Sequence, residues 1–411
     1  MAQETEKQKV DTRDLKKGMY VSELDRPWIE SPFMFQGFLI TNEQELLQLS
    51  QCCNYVYVDV AKSKVDVPSR LVMSKTSKKA PFPKKTAAPI EVPFEKEFQR
   101  AKSIYNNAID TISDILTDLR TGKLFSIKDI KETVIEITGS VMRNPDAMML
   151  LTQIEAQDKA ASSHALNVCI LSAAFGRYLG MNEKELYELS LGAMLHDVGE
   201  TQLPDGLMSK QNTYSPEELN LMQSHTLKGG ELLSQLEDIP DSAITIALSH
   251  HERANGSGYP KRLVNDQIST LAKIVSITDV YDSVTSGTER EAPISATDAL
   301  KSMYDWRNEL FDGELIELFI QSLGIYPIGS IVQLRSDEIG IVISTSAERR
   351  LAPTLMLILN SKKEPYQPPT IINLSQYVED DKHDYEITNV VDAEDYSIDK
   401  TSYIMRELYA T

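Results

Sequence analysis

Five of the six histidines in this chain fall between His164 and His251, in four short patterns able to bind metal: Ser163-His164, His196-Asp197, Ser224-His225 and His250-His251. A further carboxylate, Asp279, closes the apolar run that starts at Ile274. Imidazole and carboxylate without thiolate suit a borderline ion such as iron or manganese with open coordination positions, or zinc. A carboxylate has two oxygens and can bridge two ions, which an imidazole cannot. Two ions ~3.5–4 Å apart would stabilise the attacking and leaving oxygens of an in-line phosphoryl displacement and acidify the water between them. The chemistry implied is metal-assisted phosphoester hydrolysis. Taken singly, any of these histidines reads equally well as a hydrogen-bonded core residue; the ordered group does not.

Such ligands need rigid elements to hold them. The apolar run Leu191 to Leu195 reads as a helix that delivers His196 and Asp197 together, with Gly199 to let the backbone turn. A carboxylate at the end of such a run is costly unless paired or coordinated. The apolar-patterned run Ile244 to Leu248 ends in the same way on His250-His251. Ser215-Pro216-Glu217-Glu218 is a helix start, with Ser at the N-cap, Pro next and Glu three residues after the cap, and this helix is expected to carry His225. Upstream, Phe98, Ala101, Tyr105, Ala108, Ile112, Ile115 and Leu119 recur at helix spacing and read as a core stripe, with a dimer contact as the second reading.

The chain has 411 residues, 41% hydrophobic and 25% charged, enough for two or three globular domains. The expected fold class is mainly α: an all-helical metallohydrolase core with a small α+β module before it and a small β module after it. Residues 1–60 read as the α+β module, with short strands near Val10, Tyr20, Ile40 and Tyr55 around a helix at Glu43 to Leu49. Residues 61–92, rich in Lys, Ser and Pro, read as a flexible linker, with a basic partner-binding tail as the alternative. The helical domain takes 93–325, and 326–411 hold the β module and an acidic tail in which His383 is a solvated surface residue.

A formal charge of -19 argues against a surface for polymeric nucleic acid. An anionic ligand must instead find local positive charge, and bound metal ions are one source. Cys52, Cys53 and Cys169 have no metal-ligand spacing and form no disulfide framework; they read as small buried side chains in a reducing compartment. No stretch approaches the ~20 apolar residues of a membrane span, so a cytoplasmic protein is expected.

The order of these motifs resembles the HD superfamily of metal-dependent phosphohydrolases and, through His250-His251-Glu252-Arg253-Ala254-Asn255-Gly256-Ser257-Gly258-Tyr259-Pro260, its HD-GYP branch. The likeness runs from about Ala160 to Ile325 and includes Leu203-Pro204-Asp205 and the stretch Ile277 to Ser286. Gly18-Met19-Tyr20-Val21 and Leu24-Asp25-Arg26-Pro27-Trp28 look like the uncharacterised module that often precedes HD-GYP domains in bacteria. The resemblance implies a second-messenger phosphodiesterase that hydrolyses cyclic di-GMP to pGpG or GMP with two divalent ions, iron or manganese. It implies that His164, His196, Asp197 and Asp279 hold one ion, and that Asp197 bridges to a second held by His225, His250 and His251. A hydroxide between the ions would be the nucleophile. Gly258, Tyr259 and Pro260 would shape the substrate pocket or a protein-partner surface, the flanking modules offer further partner surfaces, and a homodimer is a further expectation.

Three positions depart from the family pattern. Glu200 stands where the family has a lysine for the substrate phosphate, and a carboxylate repels a dianionic substrate. Glu200 could itself act in catalysis, by touching a metal or orienting the water. After Thr285-Ser286 the family's Asp-Arg-Pro-Tyr is replaced by Gly287-Thr288-Glu289-Arg290-Glu291, so Arg290 is the substrate-binding cation offered from a shifted position. Ala160 replaces a glutamate found in trinuclear members, which favours two ions over three. Two other functions stay open at this stage: a cyclic-dinucleotide receptor or interaction protein that keeps the site with little turnover, and an HD phosphohydrolase acting on another nucleotide.

Overall fold

The structure is a computed structural model that describes residues 7–25, 38–60, 62–65, 67, 90–123, 126–154, 160–208, 210, 214–287, 292–345, 351–377 and 385–408. Most of the Lys- and Pro-rich stretch at 61–92, as well as Arg290 and His383, lies outside these residues.

At the N-terminus, β1 (Lys7–Asp11), β2 (Tyr20–Leu24), β3 (Phe38–Leu39) and β4 (Tyr55–Asp59) form an antiparallel sheet in the order β1-β4-β2-β3. Helix α1 (Glu43–Cys52) starts in a capping box between Asn42 and Glu45. A small core of its own, including Met19, Val21, Leu24, Leu49 and Val58, holds this unit together. The chain expected to stay extended after Val10 instead tightens into a single turn at Thr12–Asp14, because the Asp11 carboxylate accepts from the Arg13 amide at 2.9 Å.

The helical part runs α2 (Phe94–Arg120), α3 (Ile127–Arg143), α4 (Pro145–Thr152), α5 (Ala160–Tyr178), α6 (Glu183–Met194), α7 (Pro216–Gln223), α8 (His225–Ser234), α9 (Asp241–Ser249), α10 (Thr270–Ser286), α11 (Ala296–Asp305) and α12 (Gly313–Leu323). Helix α2 buries the stripe Phe98, Ala101, Tyr105, Ala108, Ile112, Ile115 and Leu119 against α3, α4 and α5. Each large apolar side chain buried there contributes about 1.5–3 kcal/mol. The stripe is therefore internal core. Helices α5 and α10 are buried on most faces and run through the middle of the domain, in contact with each other.

The expected helix start at Ser215 is present as a capping box with Glu218, but α7 stops at Gln223 and His225 opens the next helix. The Ser224 hydroxyl donates back to the Leu221 carbonyl at 2.6 Å, a bond that competes with the helix ladder and favours a bend there.

The C-terminal part departs further from expectation. Strands β5 (Ile331–Leu334), β6 (Ile339–Ser344) and β7 (Thr354–Leu359) are joined by β8 (Pro365–Asn373) and β9 (Ile387–Val390) in one antiparallel sheet, ordered β8-β7-β6-β5-β9. The region read as an acidic tail thus supplies both edge strands and ends in helix α13 (Lys400–Leu408). Pro365, Pro368 and Pro369 hide β8 from a sequence reading, yet proline is tolerated on an edge strand, where a missing amide breaks no central ladder.

Hydrogen bonds help to tie the sheets to the helices. Trp306 Nε1 donates to the Leu24 carbonyl at 3.2 Å, and the buried Asp146 carboxylate on α4 accepts from the Ser344 hydroxyl at 2.6 Å and the Thr345 amide at 3.2 Å. Burial pushes the Asp146 carboxyl up, against those bonds and the charge of Arg177. A carboxyl whose folded pKa is raised stabilises the fold fully only below its unfolded value, ~3.9, and that contribution is lost as pH rises through the folded value. Asp146→Asn should therefore gain stability relative to wild type as urea melts move from pH 4 to pH 7.5. Asp146→Ala should cost about 1–3 kcal/mol at either pH, because it leaves two donors unpaired.

Candidate metal centre

Three histidines reach the centre by the same local device. His196, His225 and His250 each follow directly on the last turn of a helix, where backbone carbonyls lack amide partners. The His196 Nδ1 lies 2.7 Å from the Ala193 carbonyl and the His225 Nδ1 2.7 Å from that of Met222. The His250 Nδ1 sits 3.1 Å from the Ala247 carbonyl. A carbonyl only accepts, so Nδ1 carries the proton in each ring and Nε2 presents its lone pair inward. His164, on α5, is oriented by a carboxylate instead: its Nδ1 lies 2.8 Å from Asp282 Oδ2 on α10.

The four Nε2 atoms converge on Asp197. His196 Nε2 lies 3.1 Å and His164 Nε2 3.8 Å from Asp197 Oδ2, while His225 and His250 Nε2 lie 3.3 Å and 3.1 Å from Oδ1. Asp279 Oδ1 faces the first pair, 3.3 Å from His164 Nε2 and 4.0 Å from that of His196. His251 joins the second set, its ring stacked under Tyr259 at 4.7 Å between centroids. Two ligand groups result, His164-His196-Asp197 and Asp197-His225-His250-His251, each with ligand atoms within 4.8 Å of one another.

Metal ions fit this arrangement on two observations. The buried His196 Nε2 has no hydrogen-bond partner among the described residues. The donors are imidazole and carboxylate, with the buried Cys169 elsewhere in the apolar core, its thiol pushed up by burial. Electrostatics agree. Burial opposes ionisation of Asp197, yet the surrounding imidazoles, His196 first and then His225 and His250, hold its carboxyl well below the usual range. Burial, with the neighbouring imidazoles of His250 and His225, pushes the His251 pKa well down and keeps that ring neutral.

Glycines set the close approaches. A Cβ on Gly199 would lie 2.0 Å from the His225 carbonyl oxygen and 2.4 Å from the Gly229 nitrogen, so the turn after Asp197 presses directly on α8. A Cβ on Gly258 would lie 2.4 Å from both the Arg253 nitrogen and the His251 carbonyl oxygen. Gly258 is thus packed beneath the His250-His251 turn, Tyr259 covers His251, and Pro260 follows on the same loop. The Glu252 carboxylate accepts from the amides of Lys261 and Leu263 at 2.7 and 2.8 Å and closes that loop on itself.

Glu200 lies on the turn after Asp197, half-buried; burial and the Asp197 charge push its carboxyl up to about 7. It lines a narrow cleft that also opens on His164 and Asp197. The opposite wall is α2, through Ile112, Ile115, Leu116 and Arg120.

Sequence reasoning missed Asp282, Asn167 and the α2 wall. Asp282 also accepts from Asn167 Nδ2 at 3.0 Å, and Asn167 Oδ1 accepts from the Tyr105 hydroxyl of α2 at 3.1 Å. The signal for Asp282 was its place one helical turn after Asp279 in an apolar helix, where a second carboxylate needs a partner.

In comparison with known proteins, residues 148–315 match the HD domain family and residues 7–130 match a domain of unknown function, DUF3391. The chain is 27% identical over 376 residues to a cyclic di-GMP phosphodiesterase of Pseudomonas aeruginosa, covering 91% of this chain and 90% of that protein. It is 33% identical over 174 residues to the cyclic di-GMP phosphodiesterase response regulator RpfG of Xanthomonas campestris pv. campestris, covering 42% of this chain and 46% of that one. A solved HDG"Y"P protein from Bdellovibrio bacteriovorus aligns at a TM-score of 0.45 and 19% identity, over 76% of this chain and 98% of that chain. No helix among the described residues is long and apolar enough to cross a membrane.

Asp282→Ala should lower divalent-metal affinity on the His164 side by about 10–100-fold, because the ring loses its orienting carboxylate. Titration of manganese against a competing chelator checks this, and an unchanged stoichiometry and affinity would remove Asp282 from the site.

Proposed function

Taking the chain as an HD-domain protein of the HD-GYP type with a DUF3391 module ahead of it, we propose that it hydrolyses cyclic di-GMP to pGpG or GMP at a centre of two divalent ions, iron or manganese. His164, His196, Asp197 and Asp279 would hold one ion; Asp197, His225, His250 and His251 would hold the other. The observation that carries this reading is the division of Asp197, whose two oxygens face two different sets of imidazoles. When bound, the ions would supply positive charge to the phosphoryl oxygens and lower the pKa of water enough for attack at neutral pH. The relatives named as cyclic di-GMP phosphodiesterases support that substrate.

The chain's own side chains do the rest. Asp197 and Asp279 would offset the charge of the ions, and the carbonyls of Ala193, Met222 and Ala247 keep three rings in the ligating tautomer. Tyr259 shields the face of His251. Glu200, with its carboxyl near 7, can hold or release a proton at neutral pH beside Asp197. A neutral fraction of Glu200 also softens its repulsion of an anionic substrate.

The test is to incubate protein loaded with iron or manganese under anaerobic conditions with cyclic di-GMP and to chromatograph the products. Binding without pGpG or GMP at high protein concentration would turn the reading into that of a receptor. Asp197→Ala should abolish turnover and reduce bound metal. Glu200→Gln should keep its metal but lose about 100-fold or more in kcat, the usual scale of a lost proton carrier; an undiminished kcat would make Glu200 a bystander.

A further inference from the structure

The cleft above the metal ligands carries an unbalanced set of charges. Glu200 and Asp197 are acidic, His164 is committed to Asp282 and Asp279, and the whole chain bears a formal charge of -19. Among the described residues that line the cleft, Arg120 is the permanent cation. It is the last residue of α2, exposed, with its backbone fixed by the buried Leu119 beside it. Among the described residues no carboxylate pairs with it. The same wall brings the half-buried Leu116 to the cleft, backed by the buried Ile112 and Ile115.

A cyclic dinucleotide is amphipathic in the matching sense: two anionic phosphodiesters and two flat, largely apolar base faces. Arginine binds phosphate through charge-assisted, often paired hydrogen bonds, and it keeps its charge at any pH of interest. We propose that Arg120 holds a phosphate of the substrate, with the half-buried Leu116 one turn before it against a base, so that the C-terminal end of α2 is a substrate-binding wall of the active site. This rests on the reading of the metal centre given above. It also assigns a task to the segment matched by DUF3391, because that match extends to residue 130 and includes α2. The cation that a residue at the Glu200 position does not supply would then come from outside the HD domain match.

The experiment compares steady-state kinetics of metal-loaded wild type, Arg120→Ala, Arg120→Lys and, as a charge control on the exposed face of the same helix, Arg100→Ala. Arg120→Ala should raise KM for cyclic di-GMP by about 10-fold or more while kcat stays within a few-fold and bound metal is unchanged, as expected for loss of a charge-assisted contact to substrate. Arg120→Lys should recover part of the loss, and Arg100→Ala should match wild type. An arginine that merely complements the C-terminal end of the helix dipole would shift Tm and leave KM alone, which overturns the proposal. If wild type binds cyclic di-GMP without turning it over, the phosphodiesterase reading fails, and the proposal is judged by Kd: a loss of about 10-fold in Arg120→Ala supports it and an equal Kd overturns it. A wild type that neither binds nor cleaves cyclic di-GMP overturns both.

Discussion

A single half-buried carboxylate organises the functional half of this protein. Asp197 turns one oxygen toward His164 and His196 and the other toward His225 and His250, so the ends of α6, α7 and α9 and the start of α5 must meet within a few ångströms. Four imidazoles crowded together would repel one another if charged and would lack partners if neutral. One carboxylate placed among them offsets the first cost and reduces the second. The glycines nearby follow from the same demand for closeness, since the turn bearing Asp197 can reach α8 only where Gly199 meets Gly229.

The orientation of the rings reuses a general property of helices. The last turn leaves carbonyls without amide partners, and a histidine placed directly after it can donate Nδ1–H to one of them. The protein does this at Ala193, Met222 and Ala247. His164 sits inside a helix, where carbonyls are already taken, and is oriented by Asp282, with Asn167 and Tyr105 behind it. His164 is therefore braced by a relay that begins on α2.

How far the sequence could be read depended on the range of the interaction. Local signals were legible: the Ser215 cap, the apolar helix before His196 and the core stripe of α2 all rest on residues within a turn or two of each other. The histidines and aspartates stood out because their types and order are unusual. What was hidden depends on distant partners. The break at Ser224 trades ladder bonds for a side-chain bond and for the Met222 carbonyl that His225 uses. The edge strands β8 and β9 exist because β7 and β5 are there to pair with, and no pattern within Pro365–Asn373 announces that. Arg120 stands 44 positions before His164, and only the packing of α2 on α5 brings it to the cleft.

Similarity and folding divide this chain at different places. The HD domain match begins at residue 148, yet one continuous apolar core takes in Phe94, Phe98 and Ile112 of α2, Ile137 of α3, Ile331 and Ile339 of the C-terminal sheet and Ile404 of α13. Residues 148–315 cut out alone would bare the surface that α2 and α3 cover and remove Tyr105 from the relay behind His164. The segment matched by the HD model is thus smaller than the apolar core it belongs to, and a swap of that segment between relatives would carry the clustered histidines and aspartates across without the scaffold that aims them.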